Sequence, residues 1–401
     1  MEQRGQTRVL IVGGGVAALE AALALRELAP MLVRVEVVTP EPDFVYRPLL
    51  AAQPFGTEVA RFPLRRLVED GGATLHEAIV TGVDPGRHVV RTAAADELPF
   101  DLLLLAPGAV PVPAVGGALC FDGPDAALAV ARLVEKALDG EIQRIALALP
   151  TGLRWALPLY ELALQTKAQL VDAGATAVSV AVVTPEDEPL ELFGAAASSA
   201  IAELLKARGI DLVAGTTPLS FADGALTIAP GGVLAADTVV ALPRLDGPRL
   251  SGVFHDAYGF IPTDAHGQVV HETHVWAAGD ATRFPVKQGG IAAQQADAAA
   301  EAIAARAGAD VRPSPFRPVL RGLLLTGMVP RFLRAEGAPA HSVVDTEPLW
   351  WPPAKIVGRH LGPFLAEHLG LSELLPNAAR ESAVEVEVEL APGGHGAWSQ
   401  V

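Results

Sequence analysis

At 401 residues the chain is too long for one ordinary core, and half of it is apolar against 19% charged, so two or three buried domains are expected and global disorder is excluded. A formal charge of −16 excludes nucleic acid as a partner, because binding phosphates needs a basic surface. A single cysteine, Cys120, excludes an internal disulfide and a redox dithiol.

The opening MEQRGQTRVLIV has no basic-then-apolar leader layout, and no stretch reaches about 18 uninterrupted apolar residues. A soluble, cytoplasmic protein is the expectation. RVLIV (8–12) is a β-branched run that ends in Gly13-Gly14-Gly15. VAALEAALALREL (16–28) then places apolar residues at helical spacing, and VRVEVV (33–38) is a second strand closed by Thr39-Pro40. Strand, glycine turn, helix and strand within about 30 residues make a βαβ unit with parallel strands. LHEAIVTGVDPGRHVV predicts a β-meander with turns at Gly82 and Pro85-Gly86, and DLLLLA predicts a buried strand stopped by Pro107-Gly108.

The pattern then repeats. RIALAL (144–149) precedes a turn, a helical stretch LPLYELALQTKAQLVDAG and the strand AVSVAVV (177–183). VRVEVVTPE (33–41) and VSVAVVTPE (178–186) close the two units almost identically, which reads as an internal duplication. An apolar block at 237–243, the stretch WAAGDATRFPVKQGG (276–290) and an Ala-rich helix over 291–307 follow. From Val311 the composition changes and a further domain is expected. There the segment 311–334 carries five arginines and no acid, as either a membrane-surface or acidic-partner contact or a strand pair with its arginines outward. The strand reading is the favoured one. KIVGRHLGPFLAEHLG (355–370) predicts a helix, and ESAVEVEVEL (381–390) alternates as a strand.

Gly13-x-Gly15-x-x-Ala18 follows a strand and opens a helix, the context a dinucleotide fingerprint requires. The first glycine permits the turn, and the second lets backbone approach a pyrophosphate. Ala18 keeps the helix close to the sheet. Helix N–H groups and the positive dipole end then hold phosphate. Asp280, at the end of an apolar run, either accepts a hydrogen bond from the far part of that nucleotide or is an ordinary turn acid. The neighbouring Gly279, Gly289 and Gly290 favour the first reading.

VLIVGGGVAALEAA, DLLLLAPGA and THVWAAGDATRFPVKQGGIAAQQA together resemble the two-dinucleotide-domain flavoproteins of the pyridine nucleotide-disulfide oxidoreductase superfamily. The nearest branch is that of sulfide:quinone oxidoreductases and type II NADH dehydrogenases. The likeness covers about residues 7–310. It implies FAD held by Gly13, Gly15 and the turn Ala106-Pro107-Gly108, with Asp280 on the ribityl chain and Lys287-Gln288-Gly289 beside the flavin ring. FVYRPLL (44–50) nominates Arg47 for the pyrophosphate, and Val80 occupies a position whose backbone meets adenine in relatives. Where relatives offer an acid to the ribose, this chain offers Thr39, with Glu41 two residues on. Lys287 is the one catalytic candidate, with a solvated loop lysine as the plainer reading.

The fold class implied is α/β: two Rossmann-like domains, the second inserted in the first, plus a small α+β C-terminal domain. The expected division is 1–125 with 245–310 for FAD, 126–244 for an NAD(P)-binding-like domain, and 311–401. In the second unit the glycine positions read Pro150-Thr151-Gly152-Leu153-Arg154-Trp155. Proline removes a donor, and tryptophan cannot sit where helix and sheet touch. The favoured reading is a domain that has lost NAD(P); the other is a rerouted loop with Arg154 on a phosphate. Cys120 reads as a packed thiol, and no metal site is expected, since His271-x-x-His274 offers too few ligands. The function expected is an FAD-dependent oxidoreductase. It would take electrons from a small-molecule hydride donor, NAD(P)H among the candidates, and pass them to an acceptor such as a quinone. The alternative is a non-catalytic FAD-binding sensor or interaction protein. Dimerisation stays open.

Overall fold

In the computed structural model, residues 5–336, 341–346, 349–350, 354–369 and 388–389 are described. The chain begins with β1 (Thr7–Val12), α1 (Val16–Leu28) and β2 (Val33–Thr39), then β3 (Thr74–Glu77) and β4 (Leu102–Leu105). It leaves this sheet to build a second from β5 (Leu119–Cys120), β6 (Arg144–Ala148), β7 (Ser179–Val183), β8 (Ile210–Val213) and β9 (Thr238–Ala241), with helix α2 (Leu157–Asp172) between β6 and β7. It returns with β10 (Val275–Ala277) and the long helix α3 (Gly289–Arg306).

The two sheets have the same plan. Spatial order is β10-β4-β1-β2-β3 in the first and β5-β9-β6-β7-β8 in the second, and every ladder in both is parallel. The duplicated VVTPE ends thus sit at matching places, on β2 and β7. Parallel strands covered on both faces need apolar residues throughout, and VLIV, LLLL and VWA supply them. The chain passes between the sheets along a two-stranded ribbon, Val110–Val112 against Arg244–Asp246. Cys120 pairs in the second sheet, opposite Ala241.

Helices α1 and α3 pack side by side on the first sheet. Alanines at 17, 18, 21, 292, 296 and 299 are all buried, and such small side chains let two helix backbones approach closely. The meander is present as Val80–Asp84, Val89–Thr92 and Glu97–Pro99. Helix α2 is buried nearly all round, including Glu161, Gln165 and Lys167, because the second sheet lies on one side and segments from both earlier and later in the chain cover the other. One of these is Gly322–Leu324, whose leucines are buried; the 311–334 stretch thus contains packed strands. The helix expected within 355–370 is α4 (Leu361–Leu369). Of the strand expected at 381–390, only Val388–Glu389 falls within the described residues, pairing with Val319–Leu320. Among the described residues no helix is long and apolar enough to cross a membrane.

Candidate functional site

The carboxyl ends of β1, β2, β4 and β10 form one edge of the first sheet, where open α/β folds bind ligands. Gly13 ends β1 at φ +121°, and a Cβ there would stand 2.2 Å from the Ala106 carbonyl oxygen. Only glycine lets the β1 turn lie against Ala106-Pro107. Ala106 N–H donates to Val12 O (2.8 Å) and Gly13 N–H to Val38 O (2.9 Å), tying three strand ends together. Gly15 is the N-cap of α1 and has no side-chain capping bond. Nothing lies within 4 Å of where its Cβ would be, and the same is true of Gly108. Uncapped helix N–H groups facing open space form a seat for an anion.

Thr39, buried at the end of β2, stands beside this turn: its Oγ1 would be 3.2 Å from a Cβ on Gly14. The hydroxyl accepts from Glu41 N (3.3 Å), and Glu41 itself points to solvent. Val80 starts the meander, and the chain just before it is tied to Thr39 by Ala78 N–H donating to its carbonyl at 3.1 Å. Ala18 is fully buried between α1 and its neighbours.

Across the same edge, Asp280 sits in a short turn, Gly279–Ala281. Gly279 fits between Ala17 and Ala292, where a Cβ would be 3.0 and 3.4 Å from theirs. Its N–H donates to Gln295 Oε1 (2.8 Å), and Thr282 Oγ1 donates to Gly279 O (2.9 Å). These bonds hold the turn and leave the half-buried Asp280 carboxylate without a hydrogen bond among the described residues. Desolvation raises its pKa, against the pull of Lys287 and then Arg47. The two expected cations are therefore close enough to act on it. Lys287 Nζ donates to the Thr282 carbonyl and lies 3.8 Å above the Phe260 ring centroid. Desolvation pulls it down to about 8, with Asp280 and Asp256 acting the other way.

Helix α3 begins at Gly289, two residues before the start expected at Ile291. Gln288 is its N-cap: Oε1 accepts from Ile291 N (2.8 Å) and Nε2 donates to Arg321 O (2.9 Å). Both ends of that amide are engaged, so Gln288 shapes the helix start rather than offering its side chain outward. A Cβ on Gly289 would be 3.9 Å from Val16, which places the starts of α1 and α3 side by side. Sequence reasoning overlooked Gln295, Thr282 and Phe260. Gln295 had a signal, as a polar residue on a nearly all-alanine helix.

The second sheet repeats the Thr-Pro-Glu turn with another outcome. Thr184 Oγ1 accepts from Glu186 N at 3.1 Å, as Thr39 does from Glu41. Glu186 is buried, however, and its Oε2 accepts from Tyr160 OH (2.6 Å) and Thr184 Oγ1 (3.0 Å). Burial pushes it up to about 7. Trp155 meets Phe193 edge-on at 5.6 Å, and Gly322 passes over the pair. Cys120 is half-buried, and desolvation, then Asp122, pushes its thiol up to about 11, so it stays protonated at neutral pH. His271 lies against Phe254 and His274 against His88.

The pattern of the pyridine nucleotide-disulphide oxidoreductase family matches residues 7–302. An NADH dehydrogenase-like protein of Mycobacterium tuberculosis is 26% identical over 68% of this chain and 72% of its own length. The sulfide:quinone oxidoreductase of Aquifex aeolicus superposes with a TM-score of 0.75 at 20% identity, covering 84% of this chain and 86% of its own. A ferredoxin reductase of Rhodopseudomonas palustris gives 0.62 at 19% identity, covering 85% and 89%. At such identities the two structures speak for the fold alone.

Proposed function

The chain belongs to the pyridine nucleotide-disulphide oxidoreductase family and is an FAD-dependent oxidoreductase; from this premise we propose that it takes electrons from a small-molecule hydride donor and delivers them to an apolar acceptor of quinone type. The residues fit the cofactor: an uncapped helix start behind Gly15 and an open Gly108 suit the pyrophosphate, and Asp280 is poised to accept from a ribityl hydroxyl. When bound, FAD supplies the two-electron chemistry that no side chain here can. The chain supplies position and field. Arg47 adds positive charge for the pyrophosphate, and Asp280 holds the polyol through a charged acceptor bond worth about 1.5–3 kcal/mol. Lys287 and the free N–H groups at the start of α3 favour negative charge on the ring.

The single observation that carries the reading is the convergence of Gly13, Gly15, Arg47, Asp280 and Lys287 on one sheet edge. With Cys120 the one thiol, no redox disulfide takes part. We assign 1–125 with 245–310 to the FAD domain, 126–244 to the second and 311–401 to the C-terminal one, and we place the protein in the cytoplasm. A cleft of about 290 Å³, lined by Phe55, Ala168, Leu325 and Met328 but also by Gln165, Gln169 and Asp172, is the seat we assign to the acceptor.

For the donor, NAD(P)H is the first reading. A different donor is the second, favoured by Pro150, which lacks an N–H, and by Trp155, which stands at the place of the fingerprint's third glycine and packs on Phe193. Anaerobic mixing decides. NADH or NADPH bleaching the visible flavin band, with recovery on adding a quinone, supports the first reading. A band untouched by both nucleotides but bleached by another reductant supports the second. A band that no donor changes refutes the enzyme reading.

A further inference from the structure

Away from the cofactor edge, side chains from three separate segments meet. Glu20 on α1 is fully buried, and its Oε1 and Oε2 accept the N–H groups of His360 and Leu361, each at 2.7 Å. The chain can cross Glu20 because residue 358 is glycine, where a Cβ would stand 2.3 Å from Oε2. Asp297 on α3 faces the same point. Its Oδ1 is buried and stands 3.8 Å from His360 Nε2, beyond hydrogen-bond reach, while its carboxyl and that of Glu20 hydrogen-bond to each other. The His360 ring is only 9% exposed, and its other nitrogen, Nδ1, lies 3.1 Å from Glu27 Oε2.

We propose that Glu20, Asp297 and His360 bind a first-row divalent cation that pins residues 354–369 to the cofactor domain. One candidate ligand atom from each lies within 4.8 Å of the other two, so modest inward movement brings all three to bonds of about 2.0–2.2 Å. Each Glu20 oxygen spends one lone pair on an amide and keeps one. Glu27 holds Nδ1 as an outer carboxylate orients a metal-binding imidazole, leaving Nε2 aimed at Asp297. Charge points the same way. Glu20, Glu27, Asp297 and Glu301 face one imidazole and the Arg359 guanidinium, which reaches Glu301 at 3.9 Å. Glu20 and Asp297 lie against each other with one carboxyl keeping its proton, burial and then Glu20 pushing Asp297 up to about 8, and a divalent cation would take that proton's place. One imidazole, two carboxylates and a water suit Zn²⁺.

Zinc is titrated into the full chain, as purified and then freed of metal by dialysis against a chelator, in competition with a chromophoric chelator. One equivalent is expected in the wild type. Asp297→Asn, which keeps size and shape, should weaken it by more than about tenfold, and Glu27→Gln by about tenfold or more. His271→Ala should leave it unchanged. Zinc should raise the thermal midpoint of the wild type and not that of Asp297→Asn, with matching far-UV circular dichroism showing that the variant is folded. Equal zinc affinity in wild type and Asp297→Asn overturns the assignment, and so does the absence of a bound equivalent in the wild type.

Discussion

Gly13 and Gly15 are two residues apart in one turn, yet the structure gives alanine at each a different consequence. At Gly13 the added Cβ would lie 2.2 Å from a backbone oxygen, in a residue held at φ +121°. The strained backbone alone costs alanine about 1–3 kcal/mol. The clash cannot be relieved by a rotamer change, because the obstacle is main chain, so the whole cost is about 3–5 kcal/mol. At Gly15 the backbone, φ −89° and ψ −167°, is ordinary, and the space is open. The lost N-cap preference, about 1 kcal/mol, is roughly offset by a stiffer unfolded chain, worth about 0.4–1 kcal/mol. Gly15→Ala should therefore fold like the wild type while its methyl fills the phosphate seat. Losing one charged-acceptor bond there, about 1.5–3 kcal/mol, weakens FAD by roughly tenfold to 150-fold. The assay is urea unfolding of the apoprotein beside a titration of flavin fluorescence. Gly13→Ala should lose stability and Gly15→Ala affinity; wild-type FAD affinity in Gly15→Ala would refute the placement of the pyrophosphate.

Asp280→Asn removes a desolvated carboxylate, so the apoprotein should melt higher while FAD binds about tenfold or more weaker; the two changes are read by calorimetry with and without FAD. Lys287 is held down near 8 from 10.5. The unfolded chain thus binds more protons between those values, and the apoprotein should gain stability as pH rises from about 8 towards 10.5. A wild-type slope retained in Lys287→Met would count against this. Glu186 is raised from 4.5 to about 7, so the folded state holds the extra proton and stability falls as pH rises from about 4.5 to 7. Glu186→Gln, which can still accept from Tyr160, should flatten that fall and gain up to about 3 kcal/mol above pH 7 in denaturant unfolding.

The strands and helices around the first turn were legible because each carries a strong local signal: a β-branched run, a glycine turn, then alanine and leucine at helical spacing. The twin VVTPE ends also revealed the repeated plan. What stayed hidden depends on contacts distant in sequence. Nothing near Glu186 says that it turns inward, since Tyr160 lies 26 residues away. Glu41, in the same local motif, stays in solvent. Nothing near Gln288 says that its amide caps a helix and ties it to Arg321, 33 residues on. The meeting of Glu20 with His360, 340 residues apart, leaves no trace in any window of sequence.

Helix α2 buries Glu161, and its buried counter-ion among the described residues, Lys355, comes from 194 positions further along the chain. The next residue, Ile356, gives its N–H to the hydroxyl of Tyr46 at 3.0 Å. A single short strap is thus stitched to both sheets' helical layers. Neither partner of the ion pair can be exchanged alone without stranding a charge, at roughly 3–5 kcal/mol. Descendants of this protein should therefore inherit or abandon positions 161 and 355 together, and the strap should resist both trimming and transplantation.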